Sequence, residues 1–140
     1  MIEFFGKLTG FLILGLIAYL LFKNKGSHPD LFNLIDGEEI IQMAKGDYWV
    51  KELLWQESQN SGEFAFTNKR ILFKGTFLKS ADKEVSIPYS EILSVEKSFV
   101  GLFFPVAFTI KTKDNKSYKF AIMKRHIYID LINSLAQKSE

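Results

Sequence analysis

From Phe4 to Phe22 the chain is almost continuously apolar, FFGKLTGFLILGLIAYLLF, and Lys7 is its single charge. A helix rising about 1.5 Å per residue carries a run of this length roughly 28 Å, close to the hydrocarbon thickness of a bilayer. Lys7 sits near the outer end, from where its long stem reaches the headgroups. Lys23-Asn24-Lys25 follow the run, and no small-x-small cleavage site closes it. These flanks favour a retained anchor over a cleaved signal peptide or a buried soluble helix. The pattern predicts a single transmembrane helix over about 4–22, inside an anchor of residues 1–25. Lys23 and Lys25 after the span, against Lys7 and Glu3 before it, place the C-terminal domain in the cytoplasm by the positive-inside rule.

Gly26-Ser27-His28-Pro29-Asp30 breaks the apolar run and reads as a linker. Leu31, Phe32, Leu34 and Ile35 recur at helical spacing, so residues 26–37 read as linker plus a short helix ending near Asp36-Gly37. The pattern then changes to period two, the mark of half-buried strands. Glu39–Lys45, Glu63–Thr67, Arg70–Lys74, Glu84–Ile87, Ile92–Lys97, Val106–Thr112 and Ser117–Ile122 all alternate or nearly so. Tyr48–Trp55 fits neither period. Asn68-Lys69 marks a tight hairpin turn, because Asn tolerates a left-handed backbone. Pro88 ends a strand, since it has no N–H to give the ladder. From about Lys124 to Gln137, Ile127, Tyr128, Leu131, Ile132 and Leu135 share one face of an amphipathic helix. The reading is mainly β: about seven antiparallel strands in a barrel or sandwich, with one C-terminal helix able to plug an open end.

The run Gly62-Glu63-Phe64-Ala65-Phe66-Thr67-Asn68-Lys69-Arg70-Ile71-Leu72-Phe73 resembles the signature of GRAM-type and bacterial PH-like domains. There a glycine leads an alternating strand into T-N-x-R and an apolar strand. Ile87-Pro88-Tyr89-Ser90-Glu91-Ile92 is similar to a later step of that family, Ile110–Asn115 to its late hairpin, and Ile129–Leu135 to its closing helix. The resemblance spans roughly residues 36–138. It implies a PH-like fold over residues 38–140, a bent seven-stranded antiparallel sheet or barrel capped by one C-terminal helix. It also implies a largely non-catalytic family whose members bind lipid headgroups, peptides or proteins. Within the motif, Thr67 and Asn68 are expected to bond the turn backbone, and Arg70 to pair with an acid such as Glu63.

Composition removes most chemistry. Cys is absent and His28 and His126 are the only histidines, so no metal site and no cofactor is expected. No phosphate loop, nucleophile elbow or zinc-protease motif occurs, so no catalytic residue is assigned and the chain reads as a non-enzyme. The net charge of +2 is too small to sustain nucleic-acid binding by bulk charge. It hides a split, however. Residues 28–66 hold eight acids and two bases, and residues 67–125 hold twelve bases and five acids. This gives either a bipolar surface or mutual neutralisation on folding.

Two features are candidate binding elements. Lys111, Lys113, Lys116, Lys119, Lys124 and Arg125 form a basic set in the late hairpin and helix start, opposed there by Asp114 alone. Lys111 and Lys113, two apart on a strand, project together. The set suits anionic headgroups, or is simply a solvated outer face. The second is Phe99–Val106, in which Leu102, Phe103 and Phe104 form either an exposed apolar patch or part of the core. The first hairpin, Lys45 to Glu57, balances two lysines with three acids and lacks the look of an inositide pocket. Its Tyr48, Trp49 and Trp55 suit core packing or protein contact. Two readings follow: an integral single-pass protein whose PH-like module binds or scaffolds proteins at the cytoplasmic face, or a sensor of anionic phospholipid on that surface.

Overall fold

The computed structural model of the chain describes Ile13 and residues 29–53, 56–76, 80–101 and 104–138. The anchor expected over 4–22 lies outside these residues, Ile13 apart. Among the described residues no helix is long and apolar enough to cross a membrane.

Seven strands build one antiparallel sheet in the order β4-β3-β2-β1-β7-β6-β5. They are β1 (Ile40–Leu53), β2 (Gln56–Thr67), β3 (Arg70–Gly75), β4 (Glu84–Pro88), β5 (Ile92–Val100), β6 (Phe104–Thr112) and β7 (Ser117–Ala121). One helix, α1 (Arg125–Lys138), follows them. The strand content and closing helix match the sequence pattern. The barrel does not: β4 and β5 are the free edges of the sheet, which is therefore bent but open. Of the stretch that fitted neither period, Tyr48 to Leu53 belongs to β1, one strand with what precedes it, and residues 54 and 55 lie outside the described residues. β1 and β2 pair from Ile40↔Thr67 to Leu53↔Gln56, whereas β7 meets β1 only from Asp47 to Trp49.

Three glycines set the bend. Gly46 pairs with Gly62, and Gly62 with Gly75, across β1, β2 and β3. A Cβ on Gly62 would lie 2.1 Å from the Lys74 carbonyl oxygen, and one on Gly46 2.5 Å from that of Ala121. Backbone from the next strand occupies the space a side chain would need, as at a sharply coiled corner of a sheet.

The inner face is aromatic. Phe64 touches Phe73 and Phe120 with ring centroids 4.9 and 5.0 Å apart, and Tyr48 closes on Phe120 at 5.3 Å. Helix α1 covers this core with Ile129, Ile132 and Leu135, and Tyr128 stacks on Phe66. The expected apolar face is thus rotated: Ile129 is buried and Ile127 is half exposed.

The short helix expected before Asp36 is absent. Among the described residues before Asp36 only a single 3-10 turn forms, Pro29–Leu31, and the chain then runs irregularly to Gly37, whose φ of 77° is left-handed. Leu31 and Phe32 are half-buried while Leu34 and Ile35 face outward, so their spacing does not define a buried helical stripe. The β2–β3 turn contains Asn68-Lys69 as expected, but Asn68 does not use the left-handed region. Among the described non-glycine residues only Asn115 and Lys124 do so.

Candidate functional site

The T-N-x-R turn is a polar lock. Arg70 donates from Nε to Glu38 Oε2 at 2.9 Å and from Nη2 to Glu38 Oε1 at 3.0 Å. The Thr67 hydroxyl reaches the same carboxylate at 2.7 Å, and the Ile35 N–H donates to it at 3.2 Å. Thr67 Oγ1 also accepts from the Lys69 and Arg70 N–H groups, as expected of a turn-capping hydroxyl. Arg70 therefore pairs with Glu38, not with Glu63. The reason is reach: Glu63 pairs with Lys74 along the ladder, five residues from the turn, while the incoming chain brings Glu38 directly beside it.

Burial would raise the Glu38 carboxyl, but the bonds from Arg70, Thr67 and Ile35 outweigh it and hold it below the usual glutamate range. Tyr89 lies under the lock and donates its hydroxyl proton to the Thr67 carbonyl at 2.7 Å. Burial, with the Glu38 charge nearby, pushes the Tyr89 phenol up. Asn68 adds two bonds, accepting from the Glu39 N–H at 2.8 Å and donating to the Gly37 carbonyl at 3.0 Å. This cluster has no nucleophile and no free base. It is a fastening for the segment before β1.

Three members of the basic set are paired with carboxylates. Lys111 pairs with Glu96 at 3.3 Å, Lys116 with Asp114 at 3.6 Å and Lys119 with Glu57 at 3.1 Å. Lys111 lies on strand β6, while Lys113 lies in the following turn with its N–H on the Glu91 carbonyl. Arg125 turns inward, and its Nη1 donates to the carbonyls of Ser98 and Ala107 at 2.7 and 2.9 Å. Lys124 is exposed with φ 59°, directly before α1. Glu38–Arg70 and Glu57–Lys119 each join the acidic first part of the chain to the basic second part. The charge split is thus partly cancelled on folding.

The apolar candidate is clearer. β5 and β6 extend to Val100 and Phe104, and Gly101 turns between them with φ 61°. Leu102 and Phe103 lie outside the described residues. Phe104 is 66% exposed, and Phe99 is also open under the Arg125 guanidinium, 6.0 Å from its ring centroid. Met123 is 76% exposed and follows Ile122, whose N–H bonds the Val106 carbonyl of β6. In the first hairpin, Tyr48 belongs to the core, Trp49 is half-buried and Trp55 lies outside the described residues. Asp47 is occupied by Ser61 and Gln59, at 2.8 and 2.9 Å. Among the described residues no group of acids and histidines could hold a metal ion.

A seven-stranded bent sheet closed by one C-terminal helix is the PH-like architecture, and the GRAM domain family matches residues 26–140. The chain belongs to the GRAM domain family, whose PH-like domains commonly mediate lipid or protein interaction. No curated protein matches the chain. Among solved structures it is similar to the C-terminal domain of an unknown protein from Leishmania infantum. The two share 22% identity over 86% of this chain and 98% of that one, with a TM-score of 0.60. It is also similar to the Vps36 N-terminal PH domain, at 16% identity over 76% and 84% of the two chains and a TM-score of 0.56. The linker-DH/PH domains of p115-RhoGEF match at 12% identity and a TM-score of 0.57, over 74% of this chain and 31% of that one. These likenesses show the fold.

Proposed function

We propose that this chain is a non-catalytic, membrane-anchored GRAM module that binds or scaffolds proteins at the cytoplasmic face of a membrane. The anchor is the 4–22 run, and the cytoplasmic side follows from Lys23 and Lys25. The observation that carries the choice of partner is the contrast between the two candidate surfaces. Lys111, Lys116 and Lys119 are each engaged by a carboxylate, which blunts the field an anionic bilayer would need. Phe99 and Phe104 are exposed at the paired ends of β5 and β6, and Met123, just after β7, is exposed as well. Exposed aromatics and Met beside an Arg have the composition of a protein contact.

The test is a photo-crosslinking residue at position 104 of the full-length chain in its own membrane, with position 111 as the comparison. Reproducible protein adducts at 104 and none at 111 are expected. Adducts to phospholipid at 104 would replace this reading with the anionic-lipid sensor. Absence of adducts at 104 would remove the β5–β6 tip as an interaction surface.

A further inference from the structure

The chain before β1 is a fixed strap. Arg70 Nη2 donates to the Asn33 carbonyl at 3.0 Å, Lys69 Nζ to the Asp36 carbonyl at 2.9 Å and Asn68 Nδ2 to the Gly37 carbonyl at 3.0 Å. The Glu38–Arg70 pair then secures its end. Leu31 and Phe32 flank a cavity with Arg70, Leu72 and Lys74 on the outer side of β3. A backbone this well held nevertheless turns Leu34 and Ile35 outward, and Ile41 follows at the start of β1. Ile35 is 54% exposed and Ile41 49%. Single exposed apolar residues are ordinary, but three within eight residues of a strapped segment mark a candidate contact.

Chain length identifies that partner. The apolar run ends at Phe22 and the strap begins at Pro29. The seven links between them reach at most about 25 Å. A bilayer holding the 4–22 run therefore lies within that distance of the strap. Two lysines lie at the same end. The Tyr89 N–H bonds the Lys69 carbonyl and the Lys113 N–H bonds the Glu91 carbonyl, which ties the β2–β3 turn to the β6–β7 turn. Lys69 and Lys113 are both exposed there, as are the acids Asp36, Glu39, Glu91 and Asp114. Apolar side chains among charged groups with long lysine stems suit the boundary between acyl chains and headgroups.

We infer that the strap and the start of β1, with exposed Leu34, Ile35 and Ile41, rest in the interfacial layer of the bilayer that holds the anchor. This rests on the anchored reading. The bond pattern then fixes the attitude of the domain, because the strap cannot swivel without breaking the Glu38–Arg70 lock. The β5–β6 tip lies at the far end of β5, eight residues and about 27 Å from Ile92.

The chain has no Cys, so single cysteines can be labelled without background. The full-length protein would be placed in vesicles of mixed phosphatidylcholine and phosphatidylglycerol, with an environment-sensitive fluorophore on Ile35→Cys, Ile41→Cys or Phe104→Cys. A blue shift and quenching by nitroxide-labelled lipid are expected at 35 and 41, with quenching by aqueous iodide at 104. Iodide quenching at 35 and 41 equal to that at 104, in protein that resists alkaline carbonate extraction, would overturn this inference and leave the anchor standing. Release by carbonate would overturn the anchor, and this inference with it.

Discussion

Arg70 grips Glu38 with two nitrogens, at 2.9 and 3.0 Å, across a sequence separation of 32 residues. The Glu38 side chain is fully buried while the Arg70 side chain keeps a fifth of its surface. That asymmetry predicts unequal mutants. Arg70→Ala leaves a buried carboxylate with Thr67 and the Ile35 N–H alone, and should cost about 3 kcal/mol or more. Glu38→Gln keeps the shape and part of the bonding, and should cost less. Chemical denaturation followed by tryptophan fluorescence would rank them. Equal losses would mean that the pair acts mainly through packing.

The same carboxylate gives a pH signature. Its folded pKa is lowered, so its contribution is present above the unfolded value of about 4.3 and fades as pH falls through the folded one. The stability gap between the wild type and Glu38→Gln should therefore be full at pH 6 and narrow steadily in acid. A gap that stayed constant down to pH 3 would show that ionisation of Glu38 does not contribute.

The glycine row should be intolerant where backbone occupies the missing side chain. Gly62→Ala brings a Cβ within 2.1 Å of the Lys74 carbonyl oxygen, and the strand pairing must give way. Gly101→Ala meets nothing within 4 Å and has only its φ of 61° to bear, at a cost of about 1 kcal/mol. Thermal melts should show a large drop for the first and a small one for the second. Similar drops would mean that the row does not set the bend.

In the core, Phe120 contacts Phe64, Phe73, Phe108, Tyr48 and Tyr118. Phe120→Ala should cost about 3–5 kcal/mol. Phe104→Ser at the open tip should leave the melting temperature within a degree or two while weakening crosslinks from position 99. A melting loss at 104 comparable to that at 120 would place the tip in the core.

The surface pairs should be nearly silent. Lys111→Ala removes a bond to Glu96 in which both side chains are about half exposed, worth about 0–1 kcal/mol. Its stability should match the wild type within error, and vesicle binding of the full-length chain should not change. A marked loss of binding to anionic vesicles would restore the lipid reading.

Local pattern determined a good deal. Alternation marked the strands because their two faces see different surroundings, and Phe64-Ala65-Phe66 leading into Thr67-Asn68 marked the second hairpin because turn chemistry is local. Pro88 ended β4 for want of an N–H. The family motif rested on those same residues. What the sequence could not carry was any choice among long-range partners. The sequence made Glu63 a natural partner for Arg70, and only the path of the strap brought Glu38 to it. Six cations close in sequence looked like one patch, but folding faced three with carboxylates and turned Arg125 onto two backbone carbonyls. The stripe of α1 was shifted enough to bury Ile129 in place of Ile127, because the way a helix meets a sheet is set by the core it caps. Sequence fixes what depends on neighbours along the chain. Pairing, burial and the open edge between β4 and β5 depend on neighbours in space, and only the tertiary structure decided them.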